Sequence, residues 1–197
     1  MEDKEMEYLY NHYVETCSLT RDAEQKRTRY LIFSILSLFF FSTLSLKPDD
    51  MFKWIQGVVI SRSGAGLPLS LSLSKVLFFV LFLYFQVSYY QKCVFIERQY
   101  LYSGELECKI GITREGKAYN ERQPVILLLI GWFYKYVLPI IISLVLIYSI
   151  RQNNDGFYFL LFYCGGFSYY SLLTILYLKF QKDTERKYDT NKTSSES

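Results

Sequence analysis

Apolar residues in this chain come in blocks, and dense charged stretches separate the blocks. Four blocks stand out: Leu31–Leu46, Leu67–Tyr90, Pro124–Ile150 and Phe157–Phe180. A helix rises about 1.5 Å per residue, so crossing a hydrocarbon layer about 30 Å thick takes about 20 residues. The third and fourth blocks are long enough as they stand. The first has 16 clearly apolar residues and must borrow Tyr30 and its neighbours. The second opens on LPLSLSLS, whose period-two alternation is by itself a strand signal. Val76 to Tyr90 is only 15 residues, roughly 22 Å, which is too short to cross. The Leu/Ser stretch must therefore join the helix, with Pro68 in the first turn, where its missing N–H costs nothing. Serine hydroxyls can bond back to the preceding turn, and Lys75, about two turns in, can snorkel outward.

The expected fold is all-α: a polytopic membrane protein with four spans at about 29–47, 68–91, 124–150 and 157–180. A polar segment, 1–28, precedes the spans, a loop at 92–123 joins spans two and three, and a polar tail covers 181–197. In the N-terminal segment Met6, Leu9, Tyr10, Tyr13 and Cys17 recur at helical spacing, which predicts an amphipathic helix. Between spans one and two, KPDDMFKWIQGVVISRS predicts a short interfacial helix with Asp49 or Asp50 at its cap, and Gly64 and Gly66 supply the turn that follows. In the 92–123 loop Phe95, Gln99, Tyr102 and Leu106 share a helical face, so the second helix is expected to run on to about Cys108 and turn back as a helical hairpin. RQNNDG is short enough to make spans three and four antiparallel neighbours.

Charge orients this arrangement. The first 30 residues carry five Lys and Arg, the 92–123 loop six, and the tail from Lys179 five. The other side holds Lys47, Lys53, Arg62, Lys75 and Arg151. Basic residues favour the cytoplasmic side, so both termini and the central loop are expected there, in a cell inner membrane. The first 30 residues carry seven acidic and five basic side chains, so no cleavable leader is expected and the first span is read as an anchor. Nineteen Tyr and 16 Phe suit aromatic belts at lipid–water boundaries. A net charge of +3 is too small to suggest nucleic-acid binding.

Catalytic patterns are missing. The chain has one histidine, no CxxC, no HExxH and no GxSxG, and GITREGK lacks the spacing of a phosphate-binding loop. No metal, no cofactor and no enzymatic activity are expected. The polar candidates inside the spans are Gln86, expected to hydrogen-bond a neighbouring helix, and Lys135. Lys135 lies about 16 Å into the third span if that helix starts at Pro124. Such a depth makes a charge costly and usually functional. Its neighbours Trp132, Tyr134 and Tyr136 instead resemble an interfacial belt, so snorkelling and a buried or pore-lining role stay open. Cys164, Gly165, Ser168 and Ser171 form a small-residue stripe expected to pack helices closely, and the Gly165–Gly166 pair is a place for a kink. Arg98, Arg114, Glu115 and Lys117 mix charges in the central loop, where they could dock a protein partner or form a solvated hairpin.

The four-span layout, with FIERQYLYSGELE after span two and ITREGKAYNERQP before span three, resembles small membrane proteins of prokaryotic antiphage operons. Two groups share it: the membrane accessory protein of type VI-B CRISPR systems and the membrane subunit of the Kiwa system. The resemblance implies a membrane sensor, effector or accessory subunit that works with a soluble cytoplasmic partner and self-associates. It carries over no active-site residue. An autonomous small channel or transporter is the alternative, with membrane lipids as its surroundings in either case.

Overall fold

A computed structural model describes residues 2–63, 70–112, 129, 131–153 and 156–195, with side chains described within 4–184. Every regular element among the described residues is helical. Helix α1 spans Glu2–Leu46, α2 Pro48–Ser63, α3 Leu71–Ile110, α4 Leu138–Arg151 and α5 Phe157–Ser195. A π-helical turn, Phe133–Val137, leads into α4. Helices α1, α3 and α5, and α4 taken together with its π-turn as Phe133–Arg151, are long and apolar enough to cross a membrane.

The lengths follow from where the chain-breaking residues lie. No Gly or Pro interrupts α1, so the 1–28 segment and the first span form one helix of 45 residues. Pro48 ends α1 because it has no N–H to donate, and the same residue suits the first position of α2. The Lys47 N–H still reaches Thr43 O (2.8 Å) and the Met51 N–H reaches Lys47 O (3.2 Å). Lys47 is thus the residue that flanks α2, and Asp49 and Asp50 sit in its first turn rather than at its cap. There they still oppose the positive end of the helix dipole. Helix α3 is 40 residues long and starts within the Leu/Ser stretch, so Leu71–Ser74 are helical; Pro68 and the Gly64–Gly66 turn lie outside the described residues. It ends at Gly111, whose φ of 76° only glycine adopts at low cost. The Gly111 and Ile112 N–H groups both close onto Glu107 O. Helix α5 passes through Gly165 and Gly166 without interruption.

The π-turn surrounds Lys135 and stands just before Pro139. A proline at 139 cannot donate to the carbonyl four residues back, which belongs to Lys135. A wider turn is the usual local answer to such a missing bond.

The described chain divides into two units. The first takes in Met1–Arg29, Ser88–Tyr136 and Ile175–Ser197; the second takes in Tyr30–Val87 and Val137–Thr174. In the first unit, Tyr13 and Cys17 of α1 bury against Leu106 of α3, with Leu9, Ile110 and Ile112 around them. The packed face of α1 continues through Thr16, Thr20 and Ala23, while Met6 and Tyr10 of the expected stripe are exposed. On α3 the packed face runs through Tyr90, Cys93, Ile96, Ser103, Leu106 and Glu107. Tyr102, expected on that face, is exposed. The offset arises because half of the face is polar and escapes a search for apolar periodicity.

The second unit buries aromatic rings and hydroxyls together with Leu44 and Leu146, and leaves many apolar side chains outside. Phe41, Phe79 and Tyr163 meet with ring centroids 5.0–5.2 Å apart, and all three are fully buried. Phe82 lies against Tyr170. Gly166 sits where a Cβ would fall 2.4 Å from Phe79 Cε1, so α3 and α5 approach closely there. Ser34, Ser37, Ser42, Ser45, Ser74 and Ser149 are buried, whereas Ile32, Leu36, Phe39, Leu77, Ile140, Leu144, Leu161 and Leu172 are exposed. A water-soluble fold would leave so large an apolar surface uncovered only at cost. In lipid the hydrocarbon solvates it, and packing and interhelical hydrogen bonds hold the helices together.

Candidate functional site

In the second unit, buried polar side chains cross-link helices. Gln86 is 2% exposed, and its Nε2 donates to Ser34 Oγ at 2.7 Å, joining α3 to α1. Ser149 of α4 donates to Ser42 Oγ of α1 at 2.9 Å and also bonds back to Val145 O. Tyr170 Oη of α5 points its proton at Pro139 O. Each such bond matters more than in water, because the unpaired alternative leaves a polar group in hydrocarbon.

Lys75 departs from expectation. Instead of snorkelling, it is 4% exposed, and its Nζ donates to Asn153 Oδ1 at 2.9 Å. Asn153 belongs to the link after α4, so this bond ties the start of α3 to that link. Asn153 Nδ2 is buried with no acceptor among the described atoms. Sequence reading missed the residue because polarity in a short loop reads as solvation; only the fold brings Asn153 to a buried lysine. Lys135, the sharper candidate from sequence, is half-buried. Its ammonium lies 5.4 Å from the Tyr136 ring centroid, and it is the third residue of the described apolar helix Phe133–Arg151.

The small-residue stripe lies away from the packed side. Cys164 is exposed, as are Gly165 and Ser168, with Ser171 half-buried. Nothing comes within 4 Å of a Cβ placed at Gly165. The face of α5 that packs within the chain is Tyr163, Gly166 and Tyr170, offset from the stripe by one residue. Large aromatic rings, rather than a run of small residues, mark the helix contact.

The first unit contains a polar network that sequence reading did not assemble. Tyr100 Oη of α3 donates to Glu24 Oε1 of α1. Cys93 is 4% exposed, with the hydroxyls of Tyr89 of its own helix and Tyr177 of α5, and Arg27 of α1, near enough to act on its thiol. Gln181 Nε2 of α5 reaches Tyr177 Oη (2.7 Å) and Glu97 Oε1 of α3 (3.3 Å). A second set lies nearer the N-terminus. There Tyr13 Oη donates to Glu107 Oε1 at 2.9 Å, and His12 Nε2 shares a proton with Tyr102 Oη at 2.8 Å. The signal was present as a polar stripe on α3: Tyr89, Cys93, Glu97 and Tyr100 fall at i, i+4, i+8 and i+11.

Burial sets the protonation of this network. It pushes the Cys93 thiol up to about 11, against the lowering effect of Arg27 and of the two tyrosine hydroxyls. Burial first, and the Glu24 bond second, hold the Tyr100 phenol well above its ordinary value. Tyr13 is raised chiefly by burial too, with Cys17 and Glu107 adding to the effect. Near neutral pH these groups therefore keep their protons and act as hydrogen-bonding groups, so Cys93 is no ready nucleophile.

Of the residues expected to dock a partner, Arg98 is exposed, with its guanidinium 5.7 Å from the Phe180 ring centroid. Arg114, Glu115 and Lys117 lie outside the described residues. Four helices long and apolar enough to cross a membrane are consistent with a multi-pass helical membrane protein. No protein family, no curated protein and no solved structure matches it.

Proposed function

We propose that this chain is a non-enzymatic protein of the inner membrane whose first unit docks a soluble cytoplasmic partner. One observation carries the reading. Helices α1, α3 and α5 have 45, 40 and 39 residues, whereas an anchor needs about 20. The remainder builds a second body with its own core and hydrogen-bond network. Anchoring alone gives no reason to fold it. The positive-inside count puts both termini and the central loop in the cytoplasm with it. The layout shared with antiphage membrane proteins supports a defence pathway and a self-associating subunit.

The test is capture of the partner. The tagged chain should retain a soluble protein encoded beside it, and alanine at Arg98, Arg114, Glu115 and Lys117 should cut that recovery about tenfold without reducing membrane insertion. Undiminished capture by the variant would remove the docking surface named here. An isolated locus with no co-purifying protein would remove the partner reading altogether.

Lys75 favours a second reading, a small channel or transporter, because a buried lysine in an apolar unit is a functional residue by default. Ion flux in proteoliposomes that falls in Lys75→Met or Lys135→Met would support it. Flux no higher than in empty liposomes would end it.

A further inference from the structure

Along each long helix, the first unit stops where the apolar segment starts, and basic residues outnumber acidic ones on that boundary, with Glu24, Glu97 and Asp183 within a turn of it. Segments 26–29, 88–94, 131–136 and 175–182 contain Lys26, Arg27, Arg29, Lys92, Lys135, Lys179 and Lys182, and no Asp or Glu. Within the first unit, three of these segments lie at one level. Tyr100 of α3 donates to Glu24 of α1, Tyr177 of α5 packs on Tyr90 of α3, and Gln181 of α5 bonds Glu97 of α3. Lys26, Arg29, Lys179 and Lys182 are exposed, while Arg27, Lys92 and Lys135 are half-buried. Aromatic residues interleave with them: Tyr90 packs on Tyr177 with centroids 5.2 Å apart, and Trp132 lies near Tyr136. Lys26 pairs with Asp22 at 2.7 Å, and both partners are exposed, so the pair contributes little.

We propose that these turns form a collar that binds anionic phospholipid headgroups, with phosphatidylglycerol-type lipid as the occupant. The inference rests on the membrane reading above and names the lipid class that it leaves open. Charge complementarity carries it. Seven cations stand beside apolar helix, and lipid phosphate is the anion available there. Tyr and Trp at the same turns, Tyr90 buried and Trp132 and Tyr136 exposed, suit the headgroup level, where a ring has one dry and one wet side. Arg supplies paired donors to phosphate oxygens, and each Lys adds a mobile point charge. Each exposed cation near the surface is worth roughly fivefold in lipid association.

The experiment uses the full chain in neutral detergent micelles and follows its thermal unfolding midpoint during titration with dioleoylphosphatidylglycerol or dioleoylphosphatidylcholine. Lipid bound only by the folded chain raises the midpoint. The anionic lipid should raise it by several degrees more than the zwitterionic one. That excess should shrink as salt goes from about 0.1 M to about 1 M, because screening acts on exposed charges. Arg29→Gln/Lys179→Gln/Lys182→Gln should lose at least half of the excess while matching the parent in phosphatidylcholine. Equal midpoints in the two lipids, an excess untouched by salt, or stabilisation by inorganic phosphate alone would each overturn the collar. Should the triple variant fail to fold, the salt dependence of the parent decides. Carbonate extraction separates the two levels of the claim: a chain stripped from membranes refutes the membrane reading, whereas a retained chain without lipid preference refutes only the collar.

Discussion

At Gly166 the structure tolerates no side chain, and at Gly165, one residue earlier, it tolerates any small one. A Cβ at 166 would meet Phe79 Cε1 at 2.4 Å and Leu83 Cδ1 at 3.0 Å. Phe79 is fully buried among Phe41, Phe82 and Tyr163, so its ring has nowhere to swing. Gly166→Ala should lower stability by about 1–3 kcal/mol, as overpacking does. Gly165→Ala should be neutral, or stabilising by up to about 1 kcal/mol through helix propensity. Thermal unfolding of the two variants in the same detergent decides, and equal midpoints would refute the close approach.

The thiols make a second prediction at this scale. Cys108 is exposed and Cys93 is buried with its thiol raised to about 11. A water-soluble maleimide should modify Cys108 and spare Cys93 at neutral pH in the detergent-solubilised chain. Linkage gives the sign of the pH effect. Between the ordinary thiol value of 9.0 and about 11 the unfolded chain releases this proton and the folded chain keeps it. Stability should therefore fall as pH rises through that window, with the raised phenols of Tyr100 and Tyr13 pulling the same way. Cys93→Ser should flatten part of the slope; a slope unchanged by it would mean the thiol contributes nothing.

At the scale of the element, the continuity of α1 is the feature to test. The helix runs unbroken past Thr28, an exposed residue whose hydroxyl bonds Glu24 O of the preceding turn. Thr28→Pro removes one backbone bond and crowds the turn before it, which costs about 3 kcal/mol in a helix interior. Thr28→Ala should cost almost nothing. A midpoint unmoved by proline would mean that the helix is already broken near this point. The π-turn at Phe133–Val137 is an element-scale consequence of a single residue, since Pro139 withholds the donor that Lys135 O would otherwise receive.

At the scale of the whole molecule, the prediction concerns sidedness and self-association. Single cysteines at Lys53 and Arg114, introduced into a cysteine-free chain, should react with an impermeant reagent from opposite faces of intact cells. Reaction of both from one face would collapse the four-span arrangement. Cys164 stands on the uncovered side of α5, the least covered of the four apolar helices. If copies pair through that side, mild oxidation should give a covalent dimer that Cys164→Ser abolishes; a monomer throughout would count against pairing there.

Hydropathy is a sum over neighbouring residues, so contiguous sequence sufficed for the number of long apolar helices and for the all-helical class. The chain breakers Pro48 and Gly111 likewise acted locally and ended helices where they stand. Which polar residues lie inside is a different kind of fact. Gln86 had a legible need for a partner, but Ser34 is 52 positions away, and no period within one helix identifies it. Lys75 read as a snorkelling residue because its nearest neighbours allowed it, and the fold instead delivers Asn153 to its ammonium. The rotation of α5, which turns Gly166 and not Cys164 toward Phe79, was settled by ring packing across helices. Local chemistry chose the elements, and the facing surfaces of other helices chose their partners.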